Sequence, residues 1–198
     1  MNTVAFRYAR LSQILLLVGA LVSVALRPEF FFSLDQGGVS NYGVIPLTIF
    51  PYTLAMFGCG YFMMRSAFAL PSDAHQLRDA GRIIFVVGLF YIFMLLSTYP
   101  YQQSLTLTYV HQIISIMMVL ILLLSGVWMH VQLRRSSASR RVDIVILVSG
   151  FLLGFLTVVD ALRLLFTAQI IIAVGFARIY LHFIKQLHKA SRIDDSAQ

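Results

Sequence analysis

The sequence predicts an all-α polytopic membrane protein, a six-transmembrane-helix bundle with both termini cytoplasmic. Three observations predict it. Of 198 residues, 59% are hydrophobic and 12% charged, whereas a soluble domain carries about 45–50% apolar and about 25% charged residues. A globule of this size cannot hide so many Leu, Ile, Val and Phe side chains from water, so the bilayer is the missing solvent. Six apolar runs come near the ~20 residues that a helix needs to cross a hydrocarbon core. Positive charge alternates between the segments that join them, as topology requires.

The runs, in order, are 11–26, with Tyr8 just before it, 43–64, 83–99, 107–131, 142–159 and 166–184. Pro46 and Pro51 bend the start of the second, and Gly58 and Gly60 give it a thin face; Gly88, Gly150, Gly154 and Gly175 mark other close approaches between helices. The fifth and sixth runs are split by Asp160 and Arg163. Without that break the stretch from Val142 to Ala177 would be 36 residues, about 54 Å as one helix and too long for a core of about 30 Å. The joining segments are short, so consecutive helices are expected to pack antiparallel. Residues 1–189 then form one transmembrane domain, and 190–198 a frayed polar cytoplasmic tail.

Orientation follows from Lys and Arg. Of the 15 basic residues, all but Arg27, Arg163 and Arg178 fall in the N-terminal segment, the second and fourth joining segments or the C-terminal tail. Arg178 lies in the sixth run near its inner end, where it can snorkel. The positive-inside rule therefore places both ends in the cytoplasm of a cell-membrane protein. Arg7 and Arg10, an apolar stretch and Ser23-Val24-Ala25 also resemble a cleavable leader. The tripeptide matches a cleavage site poorly and the apolar core is long, so the first helix is expected to stay.

The net charge of +7 is spread over these short segments. It reads as topology and lipid-headgroup contact, not as a nucleic-acid surface. The single cysteine, Cys59, excludes an internal disulfide and a Cys-rich metal site.

Candidate functional residues gather on the outer side. The first outer segment, Arg27 to Tyr42, mixes glycines with aromatics, carries Asp35 and Ser40, and is long enough to cap the bundle or to remain a surface loop. Tyr99, Tyr101 and Tyr109 fit an interfacial aromatic belt. His111 lies about one turn inside the fourth run, where an imidazole needs a partner. It makes either a structural hydrogen bond at the helix end or a functional contact. Asp160 and Arg163 share a face if the backbone is helical there. They form a structural ion pair, or face a polar pocket with His111 and Asp35.

Several chemistries fit poorly. His130 and His182 lie near the inner ends of the fourth and sixth runs, where they raise haem ligation. His111 has no matching outer histidine on another helix, so no cofactor is expected. Leu123-Leu124-Ser125-Gly126 lacks the leading glycine of an intramembrane serine protease, and Ser125 and His182 lie toward the cytoplasm, the wrong side for one. Ser125-Gly126 reads instead as a small-residue helix contact. No acidic pair or Glu–His spacing suggests a metal hydrolase, so no metal site is expected. The centres of the runs offer almost no ionisable groups for transport.

The order of four features resembles a known group: a Ser-x-x-Gly turn at Ser40-Asn41-Tyr42-Gly43, the segment Met56-Phe57-Gly58-Cys59-Gly60, the pair Tyr99-Pro100, and His111 opening the fourth helix. Over roughly Phe32 to Ile184 the chain resembles the six-helix Frag/DRAM-like membrane proteins, including the bacterial and archaeal family known as domain of unknown function 998. Where that family often has an acidic residue after the aromatic-Pro pair, this chain has Tyr101-Gln102-Gln103. The resemblance implies the six-helix fold more firmly than an activity; eukaryotic relatives imply lipid-linked roles by analogy.

The expectation for function is a non-enzymatic membrane protein that binds a lipid or small ligand in an outer-face pocket formed by His111, Asp160, Arg163, Asp35, Ser40 and Tyr99. The alternatives are a small transporter or accessory subunit, and a membrane enzyme acting on lipid headgroups with His111 as base and Asp160 orienting it. Expected partners are membrane lipids, with a small-molecule ligand and a second copy of the chain left open.

Overall fold

Long apolar runs must satisfy their backbone polar groups locally, and a helix does so within a single segment. The computed structural model of the protein describes residues 3–29, 38–70, 75–100, 103–132, 138–158 and 164–196. Among these are six α-helices: α1 (Thr3–Leu26), α2 (Ile49–Phe68), α3 (His75–Thr98), α4 (Leu105–Gln132), α5 (Ala138–Val158) and α6 (Leu165–Ser196). A 3-10 turn, Val39–Gly43, precedes α2. Four stretches are long and apolar enough to cross a membrane: Val4–Leu26, Leu77–Thr98, Leu105–Gln132 and Leu165–Leu187. In α2 the apolar character is diluted by Pro51, Tyr52, Thr53, two glycines and Arg65.

Two boundaries differ from the apolar runs for identifiable reasons. Helix α2 begins at Ile49 and not near Gly43, because the chain first closes the 3-10 turn and then a second turn in which Thr48 donates to the Tyr42 carbonyl at 2.7 Å. Pro51 follows as the third helical residue, where a missing N–H leaves no intrahelical bond unmade. Helix α6 continues to Ser196, across the boundary expected at residue 190. Hydrogen bonding carries on where the apolar pattern stops.

Consecutive helices run antiparallel, as their contacts show. Ser66 near the end of α2 donates to the Ala5 carbonyl at the start of α1, at 2.9 Å. Ser97 near the end of α3 meets His111 near the start of α4. Helices α1 to α4 pack in sequence order, and α6 then fits between α4 and α1, closing a ring. Trp128 of α4 meets Phe183 of α6 edge-on at 5.7 Å, and the two helices are parallel. Helix α5 stands outside the ring, against α6 and α4. The end where α1 begins is called basal below, and the end carrying the 3-10 turn apical.

Glycine sets the closest approaches. A Cβ on Gly60 would lie 2.6 Å from the Gly88 carbonyl, so α2 and α3 meet backbone to backbone. A Cβ on Gly175 would lie 2.6 Å from the Leu147 amide, bringing α6 equally near α5. Gly154 departs from the expected pattern: its nearest neighbour would be Ala168 Cβ at an ordinary 3.7 Å. The core is fully buried at Met63, Ile84, Met129, Phe176, Ile179 and Tyr180. The outward faces remain apolar: Leu21 is 60% exposed, Leu124 65% and Val131 70%. Helices apolar on both faces suit an apolar surrounding, as the composition requires.

Candidate functional site

The apical cap is built first. Val39 donates its amide to Gln169 Oε1 of α6 at 2.7 Å. Tyr42 is buried, packs edge-on against Phe166 and donates to the Arg27 carbonyl at 3.2 Å. Burial pushes its phenol above the ordinary range, and the nearby Glu29 carboxylate adds to the shift. Glu29 itself pairs with Arg27. A backbone hydrogen bond within Glu29, then the one from Arg27, hold its carboxyl below the usual value. The described part of the first outer segment thus folds over the end of the bundle.

The expected site residues divide. Ser40 is buried and faces the central cavity. His111 is buried between α3 and α4, with Nδ1 3.0 Å from Ser97 Oγ and Nε2 3.5 Å from Ser115 Oγ. Ser97 donates to the Met94 carbonyl at 3.0 Å and Ser115 to the His111 carbonyl at 2.8 Å. An imidazole with its proton on Nδ1 satisfies this arrangement by donating to Ser97. His111 does not itself line the cavity, although its neighbours Met94 and Ser115 do. Tyr99 sits on the outer surface with its hydroxyl 2.6 Å from Thr53 Oγ1, tying α3 to α2. Ser40, His111 and Tyr99 therefore occupy three different environments. Asp35, Asp160 and Arg163 lie outside the described residues.

The cavity has a volume of about 500 Å³. Its walls come from α1, α2, α3, α4 and α6, and it runs from Ser40 and Gln169 apically to Arg10 and Arg178 basally. Most of its lining is Leu, Ile, Met, Val and Ala. Ile14 and Leu17 on α1 and Val174 on α6 line it while remaining 44%, 52% and 39% exposed. Its mouth therefore opens sideways, through apolar edges.

Beside its basal end lies a charged cluster. Asp143 on α5 is 1% exposed; its Oδ1 accepts from Arg178 Nε at 2.5 Å and its Oδ2 lies 2.8 Å from His182 Nδ1. Arg178 and His182 are one helical turn apart, so both reach the same carboxylate. This corrects one sequence-based expectation: Arg178 does not simply snorkel but is held by Asp143. The available signal was an acid at the second residue of the fifth run, with Arg and His spaced by four on the next helix. His182 has Asp143 as its partner, while His130 Nδ1 is buried without a partner in the described residues. No group of three or more His, Cys, Asp or Glu able to hold a metal occurs among the described residues. Ser125-Gly126 packs as a small contact, with a Cβ on Gly126 falling 2.5 Å from Leu147 Cδ2.

Comparison with protein-family models, with curated proteins and with solved structures finds no match to this chain.

Proposed function

We propose that this chain is a non-enzymatic six-span protein of the cell membrane, with both termini cytoplasmic, that holds one lipid molecule in its central cavity. The observation that carries this reading is the cavity itself: about 500 Å³, mostly apolar between its two polar ends, with a mouth edged by exposed Ile14, Leu17 and Val174. A water-soluble ligand would meet little to bond in the middle of such a space, whereas a hydrocarbon chain matches it. The cavity lies inside the ring and not at the outer face alone, and Ser40 is the expected residue that lines it. The positive-inside pattern supports the orientation, and the resemblance to Frag/DRAM-like proteins belongs to the same proposal.

The test is lipid retention. Protein purified in detergent and washed extensively is extracted, and bound lipid is counted per chain by mass spectrometry. About one diacyl lipid per chain is expected, and Ala173→Trp, which fills the cavity from α6, removes it. Retention unchanged in Ala173→Trp sinks the proposal.

A small transporter is the second reading, favoured by the buried Asp143 with Arg178 and His182 beside it. Flux of ions or small solutes into liposomes holding the protein, abolished by Asp143→Asn, would establish it.

A further inference from the structure

The two ends of the cavity differ in chemistry. Apically, Gln169 Oε1 is committed to the Val39 amide. Basally, Arg10 on α1 and Arg178 on α6 line the same space. Asp143 holds Arg178 by Nε alone, which fixes the plane of the guanidinium and leaves its terminal N–H groups without a carboxylate among the described residues. Arg10 likewise has no ion-pair partner among them. One turn further along α1, Gln13 is 8% exposed and lines the cavity. Its Nε2 donates to Ser12 Oγ at 3.1 Å, but its Oε1 is buried with no partner among the described residues. A buried acceptor left open in this way can take a donor from a molecule in the cavity.

We propose that the basal end of the cavity binds the phosphate of an anionic membrane lipid, with Arg10 and Arg178 on the phosphate oxygens. Gln13 Oε1 accepts a hydrogen bond from a headgroup hydroxyl, and the acyl chains run along Leu17, Met118 and Val174. This rests on the proposed function above and adds the class of lipid. Two guanidiniums present paired N–H donors suited to a tetrahedral oxyanion. A lipid is preferred to a soluble phosphate ester because the wall next to the two arginines is apolar and opens between exposed aliphatic side chains.

Native mass spectrometry of the full chain in detergent tests this with three probes: dioleoyl phosphatidylglycerol, dioleoylglycerol and glycerol 3-phosphate. Phosphatidylglycerol is expected to bind about tenfold more tightly than dioleoylglycerol, and glycerol 3-phosphate not measurably. Arg10→Gln and Arg178→Gln should each remove most of that preference while leaving dioleoylglycerol unchanged. Arg10→Gln decides alone if loss of Arg178 unfolds the protein, since Arg10 has no ion pair to break among the described residues. A preference that survives Arg10→Gln overturns the proposal, and so does glycerol 3-phosphate binding as tightly as phosphatidylglycerol. Equal binding of both lipids, lost together in Ala173→Trp, refutes the headgroup site and leaves the lipid cavity standing. Binding of both lipids undisturbed by Ala173→Trp refutes the cavity itself.

Discussion

Asp143 and Arg178 meet across α5 and α6 at 2.5 Å, the carboxylate wholly buried and the guanidinium about half exposed. The contact is asymmetric. Loss of Arg178 leaves a buried carboxylate with, among the described residues, only His182 against it, whereas loss of Asp143 leaves a cation that can turn toward solvent.

Arg178→Ala is therefore expected to destabilise the protein more than Asp143→Ala. The former should cost about 2–4 kcal/mol and the latter about 1–2 kcal/mol, reduced because Arg178 is partly screened. The double variant should cost less than the sum. Thermal unfolding in detergent measures all three, and strict additivity would show that the pair is not coupled.

The glycines separate by what a methyl group would meet. Gly88→Ala drives a Cβ to 2.8 Å from the Gly60 carbonyl, and Gly60→Ala does the reverse at 2.6 Å. Each should destabilise by about 1–3 kcal/mol, since neither backbone can retreat without separating α2 from α3. Gly154→Ala meets only Ala168 at 3.7 Å, and should be neutral or stabilising by about 0.5–1 kcal/mol through helix propensity. A melting order with Gly154→Ala below Gly88→Ala would contradict this packing.

His111 and Ser97 join α4 to α3 at 3.0 Å. His111→Ala should cost about 1–3 kcal/mol by emptying a buried polar position, and Ser97→Ala about 0.5–1.5 kcal/mol. In a double-mutant cycle the coupling should be positive and of the order of 1 kcal/mol. Lipid retention should survive Ser97→Ala, which lies behind the cavity wall. If His111→Ala leaves the melting temperature unchanged, the bond is not structural.

Topology can be read with thiol reagents, because Cys59 is completely buried and should give no background. Cysteines placed at the exposed Gln103 and Gln132, near opposite ends of the bundle, are expected to label from opposite sides of intact cells, Gln103 from outside. Labelling of Gln132 from outside would reverse the orientation.

Each of the six helices follows from an apolar run, and four of them are long and apolar enough to cross a membrane. The helix ends did not follow, because α1 begins at Thr3 and α3 at His75 where charged residues continue the same backbone bonding. Ser40 and His111 were singled out as polar residues beside apolar runs, yet only the fold shows that one lines the cavity and the other stands behind it. Asp143 was passed over because its burial depends on which face of α5 meets α6, a tertiary fact. Gln13 and Gln169 stood out even less, since an uncharged amide barely interrupts an apolar pattern. The cavity has no linear signature at all: five helices contribute to it, and the ring order places α6 beside α1, its most distant helix in sequence.

That ring order bears on how the chain is made. Synthesis runs from α1 to α6, and α1 to α4 can pack in the order they emerge. The wall between α4 and α1 does not exist until the last helix arrives, so the cavity is the final feature to form. Helices α5 and α6 form an antiparallel pair bound through Asp143 and Arg178, so each charge meets its counterion as the pair assembles. The final hairpin thus brings its own neutralisation with it, and its entry closes the ring of helices.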